Sequence, residues 1–155
     1  MGFSLADFVR ESNRIEGILR EPTWQEIDAH EQLLALGTLA ISDLERFVAV
    51  VAPRKLLRSK DGMDVRVGWH FPPGGGPNIV VALGQLITDA NKDRSYEAAF
   101  FIHHSYEQLH PFMDGNGRSG RALWLWMMGG IDRAPLGFLH HWYYQSLEFT
   151  GAKGE

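Results

Sequence analysis

The chain of 155 residues contains no cysteine, which excludes a disulfide framework and any thiolate metal site. Neither sign of charge is in large excess: 15 Lys and Arg face 19 Asp and Glu, a formal net charge of −4. That balance gives no general electrostatic case for a nucleic-acid partner. Long apolar runs are missing as well. The longest, 122–131, falls far short of the roughly 18 residues that a membrane span needs. The N-terminus lacks the basic start and apolar core of a signal peptide and carries Asp7 early. Ala6 stands where a myristoylation signal wants Ser or Thr. There is no internal repeat. Together these absences predict a soluble cytoplasmic protein with neither a membrane nor a nucleic acid among its partners.

What is present points to a folded enzyme-sized domain. Hydrophobic residues make up 45% and aromatics 12%, too much apolar surface for a disordered chain. The length predicts a single domain over 1–155. Most of it reads as helix. Ser4 with Asp7 and Thr23 with Glu26 have capping-box spacing. They open helices that end near Gly17 and Gly37. Ser42 and Glu45 predict a third start, stopped at Pro53. Further helices are expected over 78–90, 96–109, 117–128 and 136–149. Trp124, Trp126, Met127 and Met128 read as core filling, and Trp142, Tyr143 and Tyr144 as the docking face of the last helix. The stretch 59–77 differs. Asp61-Gly62 is a turn signal, 65–69 alternates as a short strand would, and Pro72, Pro73, Pro77 and three glycines bar a helix. A hairpin or flap standing off a helical body is the expectation. Arg54, Lys55, Arg58 and Lys60 read as a solvated basic helix end.

The chemistry is concentrated in 110–121, from His110 through Asp114, Gly115, Asn116 and Gly117 to Arg118 and Arg121. His110 titrates near neutrality and can take a proton from a hydroxyl. Asp114 offers hard oxygen ligands of the kind that share Mg²⁺ with phosphates. Gly115 and Gly117 allow positive φ and close backbone approach. The free N–H groups at the start of the following helix, with its dipole, form an anion site. Arg118 and Arg121 share a helix face and suit bidentate phosphate contacts. Each feature alone is common in turns and caps; together they supply what moving a phosphate-linked group onto a hydroxyl requires. His103 and His110, seven apart, make a poor zinc site without a third ligand at a usual spacing. His140 and His141 read as packing or surface.

The segment 110–121 resembles the signature of the Fic family, H-P-F-x-D/E-G-N-G-R-x-x-R, with every specified position filled. His70, Pro72 and Pro73 resemble the end of that family's flap. The resemblance implies an all-α Fic fold with a short β-hairpin flap, and protein adenylyltransferase activity. It casts His110 as the base for a target Ser, Thr or Tyr hydroxyl that attacks the α-phosphate of ATP. Asp114 would hold Mg²⁺. Gly115, Asn116 and Gly117 would line the anion hole, with Arg118 on the phosphates and Arg121 on the γ-phosphate. Phe112 would be a buried anchor. The intact Gly-Asn-Gly-Arg turn separates the sequence from the phosphate-transferring Doc branch. The partner implied is a target protein presenting a hydroxyl, the chain itself included.

Ser12 and Glu16, followed by Gly17, resemble the family's inhibitory motif, S/T-x-x-x-E-G/N. Four apart, they share a helix face. The resemblance implies that Glu16 pairs with Arg121 and blocks productive γ-phosphate binding, acting from within the chain at high effective concentration. The same glutamate serves a water-mediated reversal of AMP transfer in some relatives, so a de-AMPylating hydrolase is an alternative. A non-catalytic nucleotide-binding module and transfer of another phosphate-containing group are others.

Overall fold

The computed structural model describes residues 2–134, so the helix expected over 136–149, with His140, His141, Trp142, Tyr143 and Tyr144, lies outside the described residues. Six α-helices carry the fold: α1 Leu5–Ile15, α2 Trp24–Leu34, α3 Ile41–Val51, α4 Pro77–Lys92, α5 Tyr96–Leu109 and α6 Asn116–Met128. A 3-10 turn, Ile131–Arg133, follows. No helix among the described residues is long and apolar enough to cross a membrane.

Local chemistry sets the helix ends. Both expected capping boxes form, with Ser4 and Thr23 accepting from the amides of Asp7 and Glu26, whose carboxylates bond back. The helix α1 gives way at Glu16, and Gly17 takes φ +80°, a conformation that glycine adopts without strain. Pro77 sits in the first turn of α4, where its missing N–H has no partner to lose. Several boundaries shift from expectation, α4 by running over Pro77–Lys92 among them, and two have a local cause. The helix α2 stops at Leu34, short of Gly37, because the chain tightens into a bond from the Leu36 amide to the Leu33 carbonyl. The helix α3 starts before Ser42, because Asp43 reaches back to the Ala40 amide at 2.8 Å.

The α6 helix is the centre of the bundle. It packs against α1, α2, α3 and α5, and all but two of its residues are buried, Trp124, Trp126 and Met127 among them. A helix buried on all sides belongs in a core rather than on a surface. The helices α4 and α5 pack side by side, as do α2 and α3.

The expected strand over 65–69 does not form. In its place stands a bridge between Val67 and His70, closed by two backbone bonds of 3.0 and 2.8 Å. Gly68, at φ +57°, turns the chain at once, and Pro72 and Pro73 beyond it have no N–H to extend a ladder. The reading of Arg58 as part of a solvated basic end is also overturned. Arg58 is fully buried, because backbone carbonyls from three other segments converge on its guanidinium.

Two buried histidines give the fold a pH signature. His30 lies edge-on to Phe8 and Phe47, and burial pushes its pKa down to about 4. Burial likewise takes His103 down to about 3. Both pKa values are depressed on folding, so the stability they contribute is present above the unfolded value near 6.5 and is lost as pH falls toward 4 and 3. Glu107, pushed up to about 8 by burial, has the opposite slope, losing stability as pH rises from its unfolded value toward 8. Urea unfolding should therefore give greatest stability near pH 6.5 and a decline toward pH 5; a flat profile over that range contradicts the buried neutral histidines.

Candidate active site

His110 terminates α5 in the left-handed region, at φ +49° and ψ +64°. That turn aims the ring back along its own helix, where Nδ1 donates to the Glu107 carbonyl at 2.7 Å. A carbonyl only accepts, so the proton is on Nδ1 and Nε2 keeps its lone pair. The ring is half-buried. Burial lowers its pKa, the Glu107 bond opposes, the charges of His70 and Arg58 lower it further, and Glu16 raises it. The balance favours a neutral imidazole at pH 7, the form a general base needs.

The loop from Pro111 to Gly115 is tied down at its middle. Asn116 accepts from the Phe112 amide and donates to the Phe112 carbonyl, both at 2.8 Å. Its side chain is therefore committed to loop shape, and only its backbone faces the helix start. Phe112 is buried, as the family resemblance implied, and bridges to Leu57. Asp114 is exposed, with one carboxylate oxygen on the Gly115 amide at 2.7 Å. Gly115, at φ +80°, caps α6. A Cβ there would come within 3.1 Å of Ala52.

The arginines of α6 sit in the core rather than in solvent. Arg118 donates to the Val51 carbonyl at 2.7 Å, and its buried Nε has no hydrogen-bond partner among the described residues. Arg121 is fully buried. Its Nε donates to the Ser12 hydroxyl at 2.8 Å, and one terminal nitrogen donates to the Ser12 carbonyl at 2.9 Å and to Glu16 at 2.7 Å. The Glu16 side chain is 32% exposed against 0% for Arg121. The carboxylate also overlies the start of α6, since a Cβ on Gly117 would meet Glu16 Oε2 at 2.1 Å. A negative oxygen thus occupies the positive end of the helix, where a phosphate oxygen would be favoured.

Two groups near the site were not read from the sequence as site residues. Arg58 is one. Glu107 is the other, a buried carboxyl whose upward shift is opposed by Arg121 and reinforced by Glu16. Its only sequence signal is an acid inside an apolar helical stretch, which most exposed helix faces also show. A Cβ on Gly120 would run into Glu107 Oε1, so a side chain there would displace the Glu107 carboxyl.

Seven of the nine residues read from the sequence therefore lie on one loop and helix start, and Ser12 and Glu16 reach the same arginine from α1. The family model described as Fic/DOC family matches residues 26–128. The chain belongs to the Fic/DOC family. Two similar curated proteins are each named Protein adenylyltransferase Fic. The one from Culex quinquefasciatus is 33% identical over 92 residues, and the one from Aedes aegypti is 32% identical over 92 residues. Each alignment covers 54% of this chain and 18% of the relative, so the chain spans under a fifth of those proteins' length. The helix α1, with Ser12 and part of the Arg121 contact, precedes the segment matched by the Fic/DOC model.

The loop clasp is directly testable. Asn116→Ala leaves the buried Phe112 amide and carbonyl without their partner, which should cost about 1–3 kcal/mol per unsatisfied group at most. Urea unfolding measures it, and an unchanged midpoint contradicts the clasp.

Proposed function

We propose that this chain is a protein adenylyltransferase that transfers AMP from ATP to a hydroxyl of a target protein, and that Glu16 holds it in check through Arg121. The observation that carries the reading is the meeting of Ser12, Glu16, Arg121 and the start of α6 around one anion position. The curated relatives' names supply the chemistry.

In this reading the hydroxyl oxygen of the target attacks the α-phosphorus of ATP, and the bond to the pyrophosphate oxygen breaks. His110 Nε2 receives the hydroxyl proton, because Nδ1 is held protonated by the Glu107 carbonyl. The backbone at Gly117 and the two arginines neutralise charge on the phosphates, and such positioning and neutralisation carry most of the catalysis in phosphate chemistry. The unpartnered Arg118 Nε is a buried donor suited to a phosphate oxygen. Mg²⁺ commonly takes one or two protein carboxylates together with substrate phosphates. The exposed Asp114 fits that pattern, whereas no group of three or more His, Asp or Glu among the described residues makes a self-sufficient metal site. Bound beside the phosphates, Mg²⁺ would supply charge neutralisation there.

Glu16 opposes this arrangement on two counts. It takes the arginine that a γ-phosphate would need, and its charge lies where phosphate oxygens would approach. Removing it should free both. Glu16→Gly should raise incorporation of label from α-labelled ATP about ten- to hundredfold, the factor matching a charge-assisted contact of about 1.5–3 kcal/mol. His110→Ala in that background should abolish it. No increase in the first variant overturns the inhibitory role of Glu16, and full transfer in the second overturns the role of His110.

The pH profile follows from the depressed His110 pKa. The base must be neutral, so the rate in Glu16→Gly should rise with pH through an inflection below 6.5 and level off by pH 7. Loss of Glu16 removes a charge that raises the His110 pKa, which moves the inflection lower still. A rate still climbing through pH 8 contradicts a neutral His110.

A further inference from the structure

Arg58 is a fully buried cation whose part in the transfer reaction is not explained by the family motif. Its Nε donates to the His110 carbonyl at 2.7 Å, and one terminal nitrogen donates to the Leu109 carbonyl at 2.8 Å. The other terminal nitrogen donates to the Met63 carbonyl at 3.0 Å and the Pro73 carbonyl at 2.8 Å. One planar fork therefore grips the left-handed end of α5 on one side and both limbs of the α3–α4 connection on the other. The backbone of Arg58 repeats the link, its N–H donating to the Pro111 carbonyl at 2.8 Å and its carbonyl accepting from Gly76 at 3.0 Å.

The last carbonyls of a helix have no partner within it, and a residue at φ +49° needs outside support. Arg58 gives both at the residue that bears the base. It also fixes Pro73 and Leu109, both of which line a groove of about 460 Å³ between the connection, α4 and α5. His70 and Gln108 line the same groove, with His70 Nε2 donating to the Gln108 carbonyl at 2.8 Å. An acceptor segment lying in that groove would have its distance to the imidazole set by the same guanidinium.

We propose that Arg58 is a positioning residue for the transfer reaction, holding the α3–α4 connection and the His110 turn in one fixed register. The proposal rests on the transferase reading above. Lysine keeps the charge but has no planar fork, so it cannot span four carbonyls on two sides.

The test places Arg58→Lys, and separately Gly75→Ala, in the Glu16→Gly background. Gly75→Ala leaves Arg58 and His110 untouched; its Cβ would lie 2.6 Å from the Lys60 and Met63 carbonyls, forcing the connection away from the guanidinium. Both variants should lower kcat for labelled transfer at saturating ATP tenfold or more, while Kd for ATP changes less than threefold. Amide hydrogen exchange at Val67, His70 and Gly76 should quicken tenfold or more, with α6 amides unchanged. Should Arg58→Lys fail to fold, Gly75→Ala decides alone by the same two readings. Unchanged exchange in the connection, a kcat loss that tracks ATP affinity, or uniform acceleration across all helices overturns the proposal. If Glu16→Gly itself transfers no label, the transferase reading fails, and the exchange measurements still decide whether Arg58 holds the two segments together.

Discussion

A helix buried on every side must still satisfy the N–H groups and the positive dipole at its start. The helix α6 is that helix, and two arginines on its first turns add to the charge. Water is mostly excluded from Arg118 and Arg121, so anions and carbonyls must come to them. The Val51 carbonyl comes from α3, and the Ser12 hydroxyl and carbonyl with the Glu16 carboxylate come from α1. The placement of α1 and α3 is thus tied to one electrostatic demand at the centre of the molecule. The same physics is what favours a ligand's anion at a helix start.

A second demand lies at the other end of the loop. The helix α5 finishes with carbonyls aimed at the place where the chain must turn left-handed to present His110. Arg58 meets those carbonyls and Asn116 meets the backbone of Phe112, so the turn is fixed from two directions. Between them lies an imidazole whose Nδ1 is already bonded to the Glu107 carbonyl. The Glu107 carbonyl sets the His110 tautomer, and the side chains of Arg58 and Asn116 hold the turn that brings the ring to it.

The parts of this arrangement that were legible in the sequence depend on near neighbours. Capping boxes at Ser4 and Thr23 and the glycine turn into α6 act within a few residues, and each formed; Pro77, read as a residue that bars a helix, instead opens α4. The mainly helical Fic fold was readable for the same reason, and the family motif is itself a twelve-residue neighbourhood. What was not legible acts across distance. Arg58 sits in a basic cluster and looks solvated until carbonyls 51 and 52 residues away enclose it. Asn116 has the composition of an anion-hole residue, yet its amide is spent on Phe112. The alternation over 65–69 suggested a strand, but the turn at Gly68 and the prolines after it leave no partner strand. Glu107 cannot be told from an exposed helical acid without knowing that Gly120 packs on it.

The two halves of the Glu16–Arg121 contact are unequal in exposure, 0% for Arg121 and 32% for Glu16. Arg121 is enclosed and also bonded to Ser12, so it cannot leave. Withdrawing the whole of α1 would expose Phe8 and Val9, both fully buried, at about 1.5–3 kcal/mol each. It would also break the bond from Asn13 to Glu26. Glu16, in contrast, follows the last residue of α1, has a third of its side chain in water, and precedes a glycine free to turn. Rotation of that one side chain into solvent leaves the helix docked and the Ser12 bonds intact. On the inhibitory reading proposed above, release would be a side-chain event on a fixed scaffold, its strength set by how well water competes for a single carboxylate.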